Sequence, residues 1–182
     1  MSDDYVRHVR RHVTPAQASE LVEVDRLAQL LRRFLSQSRH AIDEVHVHGA
    51  DSSRVQALVS ELLRERLGFG EEVVLTPQDG LVTRARPDFF YRLDSSRGIL
   101  AEVERGGTTT NNHDLKDMWK THIAPDAQHL FLVVPISNWS ESGKAREKPY
   151  HRVAQRIGAF FGDERREVDV VSAHVFGYGR QA

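Results

Sequence analysis

The sequence predicts an α/β protein in which helices flank a mixed β-sheet, and three observations predict this class. Two segments near the start carry apolar residues at three- and four-residue spacings, as amphipathic helices do. Three short segments of strand composition follow, separated by turn sequences. The segment 129–136 is nearly all apolar, which is typical of a strand covered on both faces. We therefore predict one domain, residues 1–182, with the element order α-α-β-β-β-α-β-α-β.

Residues 1–48 are predicted to hold an N-terminal arm and the first helix. The segment Arg7–His12 is basic, and we expect it to be a frayed, solvated terminus. Thr14 and Gln17 have the spacing of a capping box, so a helix should begin there and run to about Ser38. Its buried stripe should consist of Leu21, Val24, Ala28, Leu31 and Leu35.

The predicted core spans residues 51–136 and is reached through the segment 41–48, which is either a short strand or an extended connection. Asp51 or Ser52 is expected to cap the second helix, and Gly68 stands where a helix C-terminal glycine belongs. The inward residues of this helix should be Val55, Leu58, Val59, Leu62, Leu63 and Leu67.

Three strands are predicted after that helix, and they should form a hairpin or a meander. They span residues 72–76, 88–93 and 99–105. The turns between them lie at 77–80 and 94–98, where aspartate and glycine cluster with proline or serine.

A short helix is predicted after the polar stretch 106–112, and the strand 129–136 follows it. The inner stripe of that helix is expected to be Leu115, Met118, Trp119 and Ile123. Residues 137–182 should add a loop, a helix and a final strand over 166–178. The last helix should bury Tyr150, Val153, Ile157, Phe160 and Phe161.

Composition excludes several classes of protein. The chain of 182 residues has no cysteine, so a disulfide framework and a thiolate zinc site are excluded. It begins without the apolar stretch of a signal peptide, and its longest apolar segment is far shorter than a bilayer span. We therefore expect a cytoplasmic protein with no membrane association. The net charge of −1 is low for a nucleic-acid binder, although 21 of the 25 basic residues are arginine, whose planar donors suit phosphates.

The segment 86–107 carries carboxylates that point to metal chemistry. Strands alternate faces, so Glu102 and Glu104 should point to one side while the residues between them enter apolar packing on the other. Two like charges this close repel each other unless a cation neutralises them. Asp88, at the start of the neighbouring strand, supplies a third carboxylate. A hard divalent ion such as Mg²⁺ takes oxygen ligands of this kind, and metal-assisted phosphodiester hydrolysis requires them.

The alternative is a set of solvated strand charges, each paired with an arginine. Arg86, Arg92 and Arg105 lie close enough in the sequence to serve as partners. Each acid taken singly favours this interpretation. The same-face pair, the Pro87-Asp88 strand start and the element order, taken together, favour the metal site.

Pro87-Asp88, followed on the next strand by Glu102-Val103-Glu104, resembles the motif of the PD-(D/E)XK nuclease superfamily. The matching αβββαβ order covers residues 51–136. The resemblance implies a restriction-endonuclease-like core with an extra N-terminal helix and a C-terminal helix and strand. It also implies that Asp88 and Glu102 bind Mg²⁺, or Mn²⁺ in its place, with the Val103 carbonyl as a further ligand.

Glu104 departs from the superfamily motif, which usually has lysine at this position. Some type II restriction endonucleases of the superfamily carry glutamate there, so the resemblance remains compatible with activity. Glu104 then serves either as the general base or as a ligand of a second metal. Alternatively, the lysine has moved to the next helix, where Lys116 and Lys120 lie one turn apart on one face. Each lysine taken singly is more often a solvated helix charge.

A run of glycine, threonine and asparagine connects the acids with the next helix. Flexible backbone before a helix N-terminus is suited to holding phosphates, so we predict that this run contacts nucleic acid. The alternative, which is compatible with the first, is a polar loop with an asparagine N-cap. The candidate residues are Gly107, Thr108, Thr109, Thr110, Asn111 and Asn112.

Three further segments have a plainer interpretation. Glu61 and Glu65 are candidate outer acids on the second helix, but pairing with neighbouring arginines is favoured. His46 and His48 have a same-face spacing without an acidic companion, so a surface strand or turn is favoured over a metal site. The segment 139–148 is a mildly basic loop that either contacts DNA or a second subunit or is simply exposed.

The residues and the resemblance together predict a Mg²⁺-dependent endonuclease that cleaves double-stranded DNA in restriction or defence. A homodimer is expected, since cutting both strands usually takes two centres. The alternative is a catalytically inactive nuclease-fold module that binds nucleic acid or a partner protein, and the missing motif lysine favours it. A small-molecule enzyme ranks last, because the chain lacks a nucleophile elbow and a glycine-rich nucleotide loop after a strand.

Overall fold

The computed structural model describes residues 4–49, 53–73, 75, 86–105 and 108–181, and within them eight strands form two sheets. The strands are β1 (Tyr5–Val9), β2 (Gly70–Glu71), β3 (Phe89–Arg92), β4 (Gly98–Val103), β5 (His129–Pro135), β6 (Asn138–Trp139), β7 (Ala145–Glu147) and β8 (Ser172–Tyr178).

Five α-helices connect these strands within the described residues: α1 (Pro15–Gln37), α2 (Arg39–Val45), α3 (Ser53–Ser60), α4 (His113–Ile123) and α5 (Pro149–Gly158). A π-helical segment, Glu61–Arg66, continues α3, and a 3₁₀ turn covers Glu164–Arg166. The mixed α/β class predicted from the sequence is therefore confirmed. In the described part of the chain, no helix combines the length and the apolar composition of a membrane span.

A six-stranded mixed sheet organises the fold in the order β1-β8-β5-β4-β3-β2. The three central strands β8, β5 and β4 run parallel, and the outer pairs β1–β8, β3–β4 and β2–β3 are antiparallel. The carboxyl ends of the three parallel strands therefore meet at one end of the sheet. In α/β proteins, ligands bind preferentially outside such strand ends.

Two apolar cores lie on opposite faces of this sheet. The first joins the sheet to α1, α2 and α3, and its buried residues include Leu27, Leu31, Ile42, Val59, Ile99 and Ala101. The second joins the sheet to α4 and α5, and its buried residues include Leu100, Met118, Leu130, Val153 and Ile157. The residues of β4 thus alternate between the two cores, as the period of a strand requires.

The predicted start of α1 is confirmed in detail. The Gln17 backbone N–H donates to the Thr14 side chain, and the Thr14 backbone N–H donates to the Gln17 side chain. The predicted buried stripe is also confirmed, with Leu27 added to it. Both signals lie within a few residues of each other in the sequence, so they predict the helix without knowledge of the fold.

Two predictions for the N-terminal part are wrong. Tyr5–Val9 is not a frayed arm but a strand, which pairs antiparallel with β8 at the edge of the sheet. Residues 39–45 form α2 rather than a strand or an extended connection, and Ile42 of α2 is fully buried in the first core. Each element depends on partners distant in the sequence, which local composition does not reveal.

Four predicted strands are observed with shorter bounds. The segment 88–93 contains β3, the segment 129–136 contains β5, and the segment 166–178 contains β8. The predicted strand 99–105 corresponds to β4, which begins one residue earlier and ends two residues earlier. The two antiparallel neighbours β3 and β4 and the turn 94–98 between them form the predicted hairpin.

The surroundings of β2 differ from the prediction. β2 lies at Gly70–Glu71, before the predicted segment 72–76, and Glu72 has a left-handed φ of 48° that ends it. Gly68 has a φ of 78°, as the predicted helix C-terminal glycine should. The predicted cap at 51–52 and the predicted turn at 77–80 lie outside the described residues.

The inward face of α4 differs most from its predicted stripe. Met118 is buried, but the Trp119 side chain is 60% exposed and Leu115 and Ile123 are half-buried. The other buried residues of this helix are polar: Asp114, Asp117 and Thr121. A helix that turns polar groups inward cannot be oriented from the spacing of its apolar residues.

The C-terminal part contains the predicted helix and strand. α5 buries Tyr150, Val153 and Ile157 as predicted, whereas Phe160 and Phe161 lie beyond its end. The segment 139–148 is not simply a loop, because β6 and β7 pair within it as an antiparallel hairpin.

A chain of polar side chains crosses the sheet at the start of its parallel strands. The Glu20 carboxylate lies 2.5 Å from His129 Nε2, and His129 Nδ1 lies 2.8 Å from the Ser172 hydroxyl. Ser172 in turn lies 3.1 Å from His174 Nε2, and His174 Nδ1 lies 2.8 Å from the Tyr5 hydroxyl. Because a carboxylate only accepts, His129 donates from Nε2 and accepts at Nδ1, and the same alternation continues to Tyr5.

Burial keeps the two histidines of this chain neutral. It lowers the pKa of His129 and holds the pKa of His174 well below the ordinary value of 6.5. Burial alone would raise the pKa of Glu20, but hydrogen bonds from His129 and Arg97 lower it to about 2.

These pKa shifts predict a loss of stability in mild acid. A histidine whose pKa is lowered by folding contributes stability above its unfolded value of 6.5 and loses it as the pH falls below that value. The two histidines should therefore lower the free energy of unfolding from pH 7 downwards, by up to about 1.4 kcal/mol per pH unit for each proton taken up. Glu102 and Asp117, whose pKa values folding raises, act in the opposite direction over this range, so the histidine contribution is the difference between wild type and a histidine variant. Urea unfolding at several pH values, with His174→Gln against wild type, measures the slope.

The matched control is His40→Gln, since the His40 side chain is 88% exposed on α2. Relative to wild type, His174→Gln should lower the slope of the free energy of unfolding against pH below pH 6.5, and His40→Gln should leave it unchanged. Equal slopes in all three proteins would contradict the prediction.

Candidate active site

Asp88 and Glu102 lie opposite each other where β3 begins and β4 ends. The Val103 backbone N–H donates to Asp88 Oδ2 at 2.9 Å, and the Asp88 backbone N–H donates to Glu102 Oε2 at 3.2 Å. Each carboxylate is thus held by the backbone of the neighbouring strand. The antiparallel pairing of β3 with β4 creates this juxtaposition, which the short connection between the strands predicted.

Two residues of α4 complete a buried cluster with these acids. Lys120 Nζ donates to Glu102 Oε1, and it lies 3.1 Å from Asp117 Oδ1. The side chains of Glu102 and Asp117 are each only 7% exposed, so their charges are removed from water. The three-residue spacing of Asp117 and Lys120 places both on the face of α4 that covers β4.

Burial and mutual repulsion raise the pKa values of both buried acids. Burial raises the pKa of Glu102 to about 8, with repulsion from Asp117 and Asp88 adding to the effect and Lys120 opposing it. Burial likewise raises the pKa of Asp117 to about 7. Burial would lower the pKa of Lys120, but the charges of Asp117 and Glu102 outweigh burial and raise it. Carboxyl groups so strongly perturbed are typical of functional sites.

Glu104 lies just beyond β4 and faces the start of α4. One of its carboxylate oxygens lies 2.9 Å from His113 Nδ1, and the Tyr178 hydroxyl donates to its backbone carbonyl at 2.9 Å. Glu102 and Glu104 therefore both face α4, as the strand period predicts, while Val103 packs into the opposite core.

The loop before α4 is held by an arginine of α5. Arg156 donates to the Thr109 carbonyl at 3.2 Å and to the Asn112 side chain at 2.7 Å, and its Nε lies 3.3 Å from the buried carboxylate of Asp114. Asn112 is the N-cap of α4 with a φ of 56°, although its side chain makes no capping bond. One side chain thus positions both the loop and the first turn of the helix.

The residues predicted to contact nucleic acid differ in their exposure to solvent. Thr108 is only 1% exposed, so it cannot contact a substrate in this conformation. Thr109 is half-buried, Asn111 is exposed, and Asn112 is exposed but bound to Arg156. Gly107 lies outside the described residues.

The two candidate lysines lie in different surroundings. Lys120 reaches the acids, whereas Lys116 is exposed and forms no ion pair with a described residue. Glu61 and Glu65 form exposed ion pairs with Arg66 and Arg64 at 3.6 Å and 4.0 Å, which agrees with the interpretation favoured from the sequence.

The two histidines before the core also differ in their surroundings. His46 is buried, and its Nε2 donates to the Ser137 carbonyl at 3.0 Å. His48 is exposed in a turn, as the favoured interpretation of this segment expects.

The carboxylates of the cluster suit a hard divalent cation in chemistry, but as placed they do not converge on one point. Among the described residues, no three histidine, aspartate or glutamate side chains are arranged to hold a metal ion. Asp117 Oδ2, however, is buried without a hydrogen-bond partner in the described part of the chain. A buried oxygen left without a donor is unfavourable, and a cation would satisfy it.

Sequence reasoning did not find Asp117, His113 or Arg156. The available signal was the polar spacing of Asp114, Asp117 and Thr121, which share one helical face. An amphipathic analysis assigns such a face to solvent, and only the position of α4 over the acids turns it inward.

Comparisons with protein-family models, with curated proteins and with solved structures find no match to this chain. The interpretation of function therefore depends on the chemistry and geometry of the site itself.

The cluster predicts a pH-dependent effect of removing its cation. Lys120→Met leaves Glu102 and Asp117 buried without their positive partner, so it should lower the free energy of unfolding by about 3 kcal/mol at pH 8. Because folding raises the pKa of both acids, their contribution to stability falls as the pH rises through about 7 and about 8. The loss should therefore be smaller at pH 6, and urea unfolding at the two pH values measures it.

Lys116→Met is the matched control, because Lys116 lies one turn away on the same helix and is exposed. Its effect should stay within about 0.5 kcal/mol. A Lys120→Met loss that equals the control, or that does not grow with pH, would argue against the buried cluster.

Proposed function

We propose that this protein is a divalent-metal-dependent endonuclease that hydrolyses DNA phosphodiester bonds. The observation that carries the proposal is the mutual fixation of Asp88 and Glu102, each accepting a hydrogen bond from the backbone of the other's strand. Backbone donors thus fix both carboxylates at the end of β4 before a cation binds, although the other ligands of the cluster must still move for the set to converge. Burial and the neighbouring acids raise the pKa of Glu102 to about 8, so its negative charge is unfavourable there unless a cation balances it.

The order of the elements supports membership of the PD-(D/E)XK superfamily. From α3 to β5 the described elements follow the αβββαβ order, with β2, β3 and β4 antiparallel and β5 parallel to β4. Asp88 precedes β3 and Glu102 lies on β4, which matches the strand positions of the superfamily motif. We therefore propose a restriction-endonuclease-like core, with β1, α1, α2, α5 and β8 added around it.

Lys120 supports a relocated motif lysine. The superfamily usually carries this lysine on the strand, where this chain has Glu104. Here the ammonium of Lys120 approaches Glu102 from α4, so a positive charge lies beside the acids although the chain position differs. An ammonium in this place can stabilise negative charge that develops on a phosphate and can orient a water molecule.

The chain offers oxygen ligands for Mg²⁺ or Mn²⁺. Asp88 and Glu102 are the residues that would hold the ion, with the Val103 carbonyl and the Asp117 carboxylate as further ligands. A bound ion would supply positive charge that polarises the phosphate and lowers the pKa of a water molecule.

Glu104 and His113 form the second chemical unit of the proposed site. Their carboxylate–imidazole contact of 2.9 Å is suited to accepting a proton from water and passing it away from the acids. We assign the general base to this pair. For the biological role we propose restriction or defence, with two copies of the chain cutting the two strands.

The proposal predicts metal-dependent cleavage that requires both fixed acids. With Mg²⁺ or Mn²⁺ the wild type should cleave plasmid DNA, and Asp88→Asn and Glu102→Gln should each lower the rate by about a hundredfold or more, because each removes a ligand charge. Gel analysis of supercoiled, nicked and linear DNA measures the rate.

Glu65→Gln provides the matched control, since Glu65 is an exposed acid on the segment that continues α3. It should cleave at the wild-type rate. Equal activity of Glu102→Gln and wild type, with each preparation purified separately, would refute the assignment of the site.

A second candidate function is a nuclease-fold module that binds nucleic acid or a partner without cutting. Lys120 favours it, because its ammonium already lies between Glu102 and Asp117 and neutralises part of their charge. The absence of a converging ligand set among the described residues favours it as well.

Metal titration separates the two candidates. If the endonuclease proposal is correct, Mg²⁺ at a hundred times its dissociation constant should stabilise the wild type by about 2.7 kcal/mol. Asp88→Asn should abolish this gain, and Glu65→Gln should keep it. If neither Mg²⁺ nor Mn²⁺ changes the thermal midpoint of the wild type, the result would instead support the binding-only module.

A further inference from the structure

A pocket of about 520 Å³ lies at the carboxyl end of the parallel strands, next to the candidate active site but lined by other residues. Arg105 lies two residues after the end of β4, and Asn138 lies three residues after the end of β5, so two of the parallel strands lead into the pocket. Its volume is within the range of small-ligand sites. Its position is the one where open α/β sheets bind ligands.

Two arginines of the lining have no carboxylate partner in the described part of the chain. About half of the described arginines are ion-paired, for example Arg7 with Asp25 and Arg97 with Glu20. Arg105 and Arg146, by contrast, form no ion pair with any residue that the structure describes, although Arg105 donates to the Val47 carbonyl at 3.2 Å. Unpaired guanidinium groups that share a pocket are suited to a phosphate, because their planar donors match its oxygens.

The rest of the lining is suited to a planar, polar group. Trp139 lines the pocket, and the guanidinium carbon of Arg180 lies 4.0 Å from the centre of its ring, which helps to hold the indole in place. Asn111 adds a side-chain amide with a donor and an acceptor, and Asn138 adds an amide oxygen, since its Nδ2 already donates to the Arg105 carbonyl and to Glu147. An indole beside amides is the combination that stacks on a nucleobase and contacts its edge.

A buried histidine atom beside the pocket adds a second observation. His46 lines the pocket, is only 6% exposed and donates from Nε2 to the Ser137 carbonyl. Its Nδ1 is buried and has no hydrogen-bond partner in the described part of the chain. With the proton on Nε2, this atom is an acceptor that lacks a donor in the described part of the chain, and the amino group of a base would reach it only after the imidazole turned towards the pocket.

The pocket and the acids share one loop. Thr110 and Asn111 line the pocket, and two residues later His113 contacts Glu104 of the acid cluster. Arg105, in the pocket, is the residue that follows Glu104. A strand of nucleic acid that entered the pocket would therefore pass close to the acids.

We propose that this pocket binds one nucleotide unit, with its phosphate against Arg105 and Arg146 and its base against Trp139. The part of the proposal that places the nucleotide within a substrate strand rests on the proposed nuclease function. The pocket itself does not, because a free nucleotide has the same phosphate and base. Glu147, which also lines the pocket, accepts from Asn138 at 3.3 Å and is outnumbered by the two arginines.

Tryptophan fluorescence tests the proposal on the full chain. The protein has two tryptophans, so Trp119→Phe leaves Trp139 as the single reporter. In this background, a deoxynucleoside 5′-monophosphate or a short oligonucleotide should quench the fluorescence in a saturable way. Arg146→Ala should weaken binding roughly tenfold, as expected for the loss of one charge-assisted contact. For the oligonucleotide it should also lower the salt dependence by about one phosphate contact.

Arg165→Ala is the matched control. Arg165 is an exposed arginine without an ion pair among the described residues, and it lies before the start of β8, at the opposite end of the sheet. It should bind like the wild type. Thermal midpoints of both variants show whether each remains folded.

Three ligands and one further variant decide the outcome. Quenching by the mononucleotide supports a pocket open to free nucleotides, and quenching by the oligonucleotide alone supports a nucleotide within a strand. Inorganic phosphate that binds as tightly as either, or an Arg146→Ala affinity equal to that of Arg165→Ala, would overturn the proposal. Glu102→Gln should keep the quench, because Glu102 does not line the pocket. If the wild type fails to cleave DNA but still shows the quench, only the proposed function is refuted.

Discussion

The contact of Lys120 with Glu102 and Asp117 is the constraint on which the candidate active site of this molecule depends. Two carboxylates and one ammonium leave an excess negative charge inside the fold, and burial raises the pKa of both acids. Removing Lys120 would leave both acids without their positive partner, and a buried charge without a partner costs several kcal/mol. The position of α4 over β4 is therefore coupled to the chemistry at the end of that strand, and a bound cation would relieve the same excess charge.

At the opposite end of the parallel strands, the buried polar side chains are hydrogen-bonded to one another. There, each side chain in the row from Glu20 through His129 to Tyr5 has a hydrogen-bond partner. Glu20 is the carboxylate of this row, and Arg97 balances its charge. A network satisfied in this way is typical of a structural role. At the candidate active site, by contrast, Asp117 Oδ2 has no hydrogen-bond partner among the described residues. A cation at this place, as we propose, would satisfy that oxygen.

The loop before α4 links the two functional regions that we propose. Arg156 holds it from α5 through the Thr109 carbonyl and the Asn112 side chain, while Asp114 fixes the same arginine from the first turn of α4. A loop anchored at both ends presents its exposed residues, such as Asn111, in a defined direction. Binding in the pocket and chemistry at the acids would then be positioned by one structural unit rather than by two independent ones.

The sequence by itself determined the α/β class, the capped start of α1, the strands β3, β4, β5 and β8, and the juxtaposition of Asp88 with Glu102. These features depend on spacings within a few residues, or on two strands joined by a short turn, so the local pattern contains the necessary information. Only the tertiary structure decided that Tyr5–Val9 is an edge strand, that α4 turns Asp117 inward, and that Lys120 rather than Lys116 reaches the acids. Each of these depends on a partner remote in the chain. An inward polar face looks like a solvated one until the fold shows which charges it meets.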